Sequence, residues 1–223
     1  MNVLTYAIGD IHGCADALIR LLEQINLHRA GRPARIVCLG DYVDRGPESA
    51  RVIEILRHLQ RDAPNALTCL MGNHEQMMLE AHRDVYGASV WLSNGGRQTL
   101  RSFGVTGPEA FPHDVLTWLA SLPTVHEDAR RYFVHAGFRP GRTGIDPDPW
   151  NRLWIREPFL GTVFDFGKHV VHGHTPQMEG GPDRQPYRTN LDTACVYGRS
   201  LTAGVFDETQ APPIDFLQVD RDS

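Results

Sequence analysis

Two carboxylates and a guanidinium stand within the heptad Gly40-Asp41-Tyr42-Val43-Asp44-Arg45-Gly46, directly after the apolar run Ile36-Val37-Cys38-Leu39. A buried strand that leads into such a loop places charge at the carboxyl edge of a sheet, where α/β proteins usually build their sites. Unpaired carboxylates are costly there, and Arg45 can neutralise only one of them. The heptad therefore indicates a bound cation. The alternative is a solvated turn, because Asp, Gly and Pro are common turn residues.

The same pattern of an apolar run followed by a polar segment occurs four more times. The polar residues of these segments are Asp10, His12, Asn73, His74, His135, His172 and His174. Asp10 and His12 lie two positions apart, so their side chains point the same way in an extended segment. Oxygen and imidazole groups without a thiolate are typical ligands of divalent transition metals. Five such segments in one chain predict a pair of divalent ions.

Three strand, loop and helix units must position the first polar segments. The β-prone runs at about 4–8, 35–39 and 66–70 each lead into one of them. Apolar residues at helical spacing predict a helix over about 15–26 after the first run, and similar stripes follow the other two. Successive units of this kind form a mostly parallel sheet whose loops meet at one edge.

The second half of the chain is predicted to add a helical insertion and a second sheet. We expect the insertion at about 84–123, flanking the cleft, with one helix ending at a glycine cap in Asn94-Gly95-Gly96. Later β-prone runs at 189–191, 201–206 and 214–219 are expected to be strands of a second, partly antiparallel sheet. We expect residues 1–223 to form a single domain.

The composition indicates a globular protein and argues against two classes of partner. The net charge of −5 argues against a broad nucleic-acid or anionic-membrane surface. No apolar run approaches the ~20 residues of a membrane span, and the amino terminus has no basic region or cleavage pattern, so we expect a cytoplasmic location. The four cysteines are widely spread, which indicates reduced thiols rather than disulfides or a zinc site.

The polar segments resemble the motifs of one family. The elements GDxHG, GDxVDRG, GNHE, HAG and GH occur in order at Gly9, Gly40, Gly72, His135 and Gly173. They are similar to those of the metal-dependent phosphoprotein phosphatases in the calcineurin-like metallophosphoesterase superfamily. The bacterial and phage-lambda-type branch shows segments similar to 91–96, 154–157 and 173–176. The resemblance implies a four-layer α/β/β/α sandwich with two mixed sheets flanked by helices.

The resemblance also implies two metal ions in the site. Asp10 and His12 would hold one, Asn73, His135 and His174 the other, and Asp41 would bridge them. Mn²⁺ is the expected metal, with Fe and Zn²⁺ as alternatives that the same ligands accept. A water shared by two such ions can have a pKa of about 7 and supply the hydroxide that attacks phosphorus.

The remaining implied roles concern the phosphate and the leaving group. His74 would protonate the departing oxygen, and Asp44 would hold its ring. Arg45 and Arg156, together with Asn73, would bind the phosphate oxygens. The role of His172 is left open.

Three functions are compared on this basis. The main hypothesis is hydrolysis of phosphoserine or phosphothreonine in proteins and peptides, with phosphotyrosine and small phosphoesters as further substrates. The alternative is symmetrical hydrolysis of diadenosine tetraphosphate, a branch that typically shows GDxVARG and GNHD. Asp44 and Glu75 therefore favour the first. A catalytically silent scaffold is disfavoured because every implied ligand is present.

Overall fold

The computed structural model describes residues 3–221, which form ten strands and seven α-helices. The strands are β1 (Leu4–Ile8), β2 (Ala34–Cys38), β3 (Leu67–Cys69), β4 (Val125–Glu127), β5 (Arg131–Val134), β6 (His169–His172), β7 (Asp183–Arg184), β8 (Arg188–Asn190), β9 (Ser200–Phe206) and β10 (Asp215–Asp220). The helices are α1 (Ala15–Arg29), α2 (Ser49–Asp62), α3 (Asn73–Arg83), α4 (Val85–Trp91), α5 (Arg97–Phe103), α6 (His113–Ala120) and α7 (Pro149–Trp154). Within residues 3–221, every helix is too short or too polar to cross a bilayer.

The strands form two mixed sheets of five strands each. The first has the order β10-β9-β1-β2-β3, and the second has the order β4-β5-β6-β8-β7. In the first sheet β1, β2 and β3 are parallel, β9 is antiparallel to β1, and β10 is antiparallel to β9. In the second sheet β5, β6 and β8 are parallel, and β4 and β7 are antiparallel edges.

Alternation of side chains along the strands builds three hydrophobic layers. Tyr6 and Ile8 of β1 pack toward the helices, whereas Ala7 points to the other sheet. The layer between the sheets consists of Ala7, Val37, Leu39, Leu70, Phe133, Val171, Leu191 and Phe206. On the outer face of the second sheet, Tyr132 and Val170 pack under the segment that carries α7. The predicted α/β fold with two mixed sheets flanked by helices is confirmed.

The prediction for β9 and β10 was wrong about their sheet. They extend the first sheet, and Ile8 of β1 lies opposite Ala203 of β9. Strand β9 is central, with Leu201 and Val205 packed on the helix side and Phe206 packed between the sheets. Sheet membership depends on this long-range pairing, which the local pattern of apolar residues does not encode.

A helix ends at Asn94-Gly95-Gly96, as the sequence predicted, because Gly95 leaves the helical dihedrals. After α4 the chain makes a π-type turn over Leu92–Gly96, in which Gly95 has a φ of 111°, and it continues directly into α5. The second helix, α5, ends at Gly104, which has a φ of 66°. The glycine pair therefore produces a kink between α4 and α5.

We predict that Gly9→Ala unfolds or strongly destabilises the protein. A Cβ atom at residue 9 would lie 2.1 Å from the backbone oxygen of Leu191, and the two sheets would have to separate. Because backbone rather than a flexible side chain must move, the free energy of unfolding should fall by at least about 3 kcal/mol. Urea unfolding measures the change. Gly181→Ala is the matched control, since a Cβ there meets nothing within 4 Å. Equal stability of the two variants would contradict the prediction.

Candidate active site

Asp41 lies at the centre of the polar segments, with only 2% of its surface exposed. Its Oδ2 atom is 3.4 Å from His12 Nε2 and 4.0 Å from His74 Nε2, and its Oδ1 atom is 3.3 Å from His135 Nε2. Two groups of possible ligands share this residue: His12, Asp41 and His74 form one, and Asp41, His135 and His174 form the other. Within each group the ligand atoms lie within 4.8 Å of one another. The predicted bridging residue thus belongs to both groups.

Glu75 fixes the backbone that carries Asp41. Its buried carboxylate accepts hydrogen bonds from the backbone N–H groups of Asp41 at 2.8 Å, Tyr42 at 2.7 Å and Gly72 at 2.8 Å. Burial and the charge of Asp41 raise the pKa of Glu75 to about 7, against the lowering effect of these hydrogen bonds. These hydrogen bonds to Glu75 join the loop after β2 to the start of α3.

Backbone carbonyl groups orient two of the imidazoles. His12 Nδ1 lies 2.7 Å from the Val43 oxygen, and His135 Nδ1 lies 3.0 Å from the Leu39 oxygen. Since each Nδ1 must donate, each Nε2 presents its lone pair to the site when the ring is neutral. Outer hydrogen bonds of this kind are typical of histidines that ligate metals.

The atoms around Asn73 fit a divalent cation. Asn73 Oδ1 is 2.8 Å from His135 Nε2 and 3.0 Å from His174 Nδ1. A carbonyl oxygen and an imidazole lone pair at that distance need a proton or a cation between them, and burial lowers the pKa of His135. His174 Nε2 is buried without a hydrogen-bond partner among residues 3–221. The donor set of oxygens and imidazoles matches Mn²⁺, Fe and Zn²⁺.

Asp10 belongs to neither group of three ligands. Its carboxylate accepts the backbone N–H of His174 at 3.1 Å, and a Cβ at Gly173 would lie 2.1 Å from its Oδ1. Burial raises the pKa of Asp10, and the charges of Asp192 and Asp41 raise it further. The structure therefore places Asp10 beside the His174 loop, and its pairing with His12 on one ion stays a prediction.

Asp192 is a site residue that the sequence analysis missed. It is 5% exposed, and its charge acts on Asp10. Burial raises its pKa to about 6. Asp192 lies two residues after β8, directly behind the apolar Leu191, so the same pattern of a strand and a polar segment could have identified it.

His74 and Asp44 form a buried hydrogen-bonded pair. His74 Nδ1 is 2.7 Å from Asp44 Oδ2, and the Asp44 side chain has no exposed surface. Burial alone would lower the pKa of His74, but the charge of Asp41 and the hydrogen bond to Asp44 raise it above its usual value. Trp91 and Thr99, which the sequence analysis did not select, also donate to Asp44. The ring of His74 can therefore hold a proton beside Asp41.

The two arginines lie at the open side of the site, and His172 lies outside it. Arg45 Nη1 is 2.6 Å from His12 Nε2, and the exposed Arg156 donates to the His174 backbone oxygen at 3.4 Å. The His172 ring packs against Phe159 with centroids 4.9 Å apart. Burial and the charge of Arg188 lower the pKa of His172 to about 3. His172 therefore belongs to the outer core of the second sheet.

Three relatives cover most of this chain. A protein of Halalkalibacterium halodurans named bis(5'-nucleosyl)-tetraphosphatase PrpE [asymmetrical] is 27% identical, over 95% of this chain and 92% of its own. A bis(5'-nucleosyl)-tetraphosphatase, symmetrical, of Thioalkalivibrio sulfidiphilus is 34% identical, over 90% and 86%. Serine/threonine-protein phosphatase 1 of Salmonella typhimurium is 30% identical, over 88% and 89%.

A solved structure supports the fold, and a sequence match shows the family. A crystal structure described as a putative diadenosine tetraphosphatase superposes with a TM-score of 0.66 at 23% identity, covering 98% of this chain and 97% of that one. Residues 4–197 match the family described as calcineurin-like phosphoesterase, and this range includes all five polar segments. The chain belongs to the calcineurin-like phosphoesterase family.

Proposed function

We propose that this protein is a metal-dependent hydrolase that cleaves the phosphoanhydride chain of dinucleoside tetraphosphates. The observation that carries the hydrolase assignment is the sharing of Asp41 by two groups of metal ligands, with a proton-holding His74 beside it. The substrate class comes from the relatives, since two of the three are named bis(5'-nucleosyl)-tetraphosphatases. The alternative of the sequence analysis therefore becomes the leading hypothesis.

The chain's own residues divide the work of the reaction. Asp10, His12, Asp41, Asn73, His135 and His174 are proposed to hold two divalent ions. Such ions supply positive charge to phosphate oxygens and lower the pKa of water to about 7, which provides a nucleophile at neutral pH. Mn²⁺ is the proposed metal.

The protein side chains would bind the phosphate and deliver a proton. Arg45 and Arg156, at the open side, would bind the phosphate oxygens with Asn73, because a guanidinium fork matches their geometry. His74 would protonate the departing oxygen while Asp44 holds its ring.

Asp44 and Glu75 do not contact substrate directly, which weakens the sequence argument built on them. Both side chains are buried without measurable exposure. Asp44 is engaged with His74, and Glu75 with four backbone N–H groups. A residue that the substrate does not touch reports on its class only indirectly.

Hydrolysis of phosphoserine and phosphothreonine in proteins is the second candidate. The observation that favours it is the 30% identity to the Salmonella serine/threonine-protein phosphatase over 88% of this chain. The two candidates share the metal ligands and His74, so they differ only in what lies beyond the reacting phosphate.

We predict that Asp41→Asn removes both metal ions. The amide carries less negative charge than the carboxylate and cannot bridge two cations with both oxygens. Metal analysis after loading with Mn²⁺ and gel filtration should give close to two ions for the unchanged protein and fewer than one for the variant. Asp16→Asn is the control, because Asp16 is exposed and its ion pair within residues 3–221 is with surface Arg51. Retention of two ions by a folded Asp41→Asn variant would refute the shared ligand.

We predict that His74→Asn slows substrates with poor leaving groups more than those with good ones. Loss of a general acid should reduce kcat/KM for phenyl phosphate by about 10²–10⁴. The more acidic nitrophenol of p-nitrophenyl phosphate needs less protonation, so the loss should be at least about tenfold smaller. Equal losses on both substrates, with metal content unchanged, would mean that His74 is not the acid.

We predict a higher kcat/KM for diadenosine tetraphosphate than for phosphoserine, phosphothreonine and phosphotyrosine peptides in Mn²⁺ buffer. Product analysis by ion-exchange chromatography then locates the cleaved bond. Cleavage at the central anhydride gives two molecules of ADP, whereas cleavage beside a terminal phosphate gives ATP and AMP. We expect ADP alone, as in the symmetrical relative. A preference for the peptides would replace the leading hypothesis by the second candidate.

A further inference from the structure

Residues of α4 and α5 directly contact Asp44, in the loop that follows β2. The indole N–H of Trp91 donates to both oxygens of Asp44, with Nε1 3.0 Å from Oδ1 and 2.9 Å from Oδ2. The Thr99 hydroxyl donates to Asp44 Oδ1 at 2.7 Å. These residues lie in the part of the sequence that was expected only to flank the cleft.

The hydrogen bonds to the Asp44 side chain fix the orientation of its carboxylate. His74 Nδ1 donates to Oδ2, Thr99 to Oδ1, and Trp91 to both oxygens. The backbone N–H of Asp44 donates to Thr99 Oγ1 at 2.9 Å and to Ser49 Oγ at 3.2 Å. Because an indole N–H can only donate, Trp91 requires that the oxygens facing it remain acceptors.

The glycines after Trp91 make room for this arrangement. A Cβ at Gly96 would lie 2.4 Å from the indole atoms Cδ2 and Cε2. Gly95 adopts a φ of 111°, and its backbone oxygen accepts the N–H of Arg45 at 3.2 Å. The kink over Leu92–Gly96 therefore lets the indole contact Asp44, and it also provides a backbone hydrogen bond to Arg45, the residue after Asp44.

Trp91 cannot reach a substrate. Its side chain has no exposed surface, and its ring packs edge-on against Phe111 with centroids 5.8 Å apart. Any effect of Trp91 on the reaction must therefore pass through Asp44 and His74. An unsatisfied buried carboxylate would turn toward other donors or lose its charge, and His74 would then lose its fixed ring orientation.

We propose that Trp91 is a positioning residue for proton delivery. Its indole N–H holds the Asp44 carboxylate where it accepts from His74 Nδ1, so that His74 Nε2 carries the proton toward the leaving oxygen. Thr99 provides the second fixed donor. This proposal rests on the proposed role of His74 as the general acid.

We predict that Trp91→Phe produces a weaker copy of the His74→Asn defect. The change removes the N–H and keeps an aromatic ring. kcat/KM for phenyl phosphate should fall about tenfold, as expected for loss of one hydrogen bond to a charged group, and fall less than about threefold for p-nitrophenyl phosphate. Metal content should stay at the value of the unchanged protein.

The matched control is Trp118→Phe, which removes an indole N–H that donates to Gln60 at 2.8 Å, away from Asp44. It should leave the ratio of the two rates unchanged. If Trp91→Phe does not fold, Thr99→Val removes the other donor to Asp44 with little change in volume, and the same selective loss is expected. Equal loss on both substrates in the folded variant would overturn the proposal.

The double variant separates this proposal from the one on which it rests. If Trp91 acts only through His74, adding Trp91→Phe to His74→Asn should cause no further loss on either substrate. A further tenfold loss in the double variant would overturn the positioning role and leave the acid role of His74 intact. If His74→Asn itself shows no dependence on the leaving group, the acid role fails, and the positioning role fails with it.

Discussion

The burial of the Asp41 carboxylate is the constraint on which the rest of the site depends. Burial would raise the pKa of this group, but its interactions with the surrounding imidazoles, led by His135 and His74, hold the pKa below its usual value. The buried anion therefore depends on the groups that face it. Each of them is held by a different loop, so the position of one carboxylate ties together segments from both sheets.

The apolar runs and their polar ends were enough to predict the two sheets and the meeting of their loops. The placement of β9 and β10 was not, because it depends on the pairing of β9 with β1 across nearly the whole chain and on the pairing of β10 with β9. Asn94-Gly95-Gly96 was correctly predicted to end a helix, since glycine often does so, but the sequence did not show that Gly96 also leaves room for the Trp91 indole. Contacts of this kind between distant residues have no local pattern.

For the candidate site as well, part could be predicted from the sequence and part depends on the folded structure. The sequence selected the donors around Asp41 because residue type and spacing indicate possible metal ligands. It gave Asp44 and Glu75 a meaning for substrate choice that their burial does not support. The charge of Asp192 raises the pKa of Asp10, and Trp91 and Thr99 donate hydrogen bonds to Asp44. These contacts form only when the chain folds.

Four glycines line the contact between the loops. Side chains at Gly9, Gly40, Gly46 and Gly173 would strike Leu191, Gly72, His12 and Asp10, respectively. Backbone thus rests on backbone or on a charged group, with no flexible side chain between that could adjust. Such a contact leaves no hinge, so the active site should be rigid. Changes in substrate preference should therefore arise at exposed residues around the site, such as Arg156.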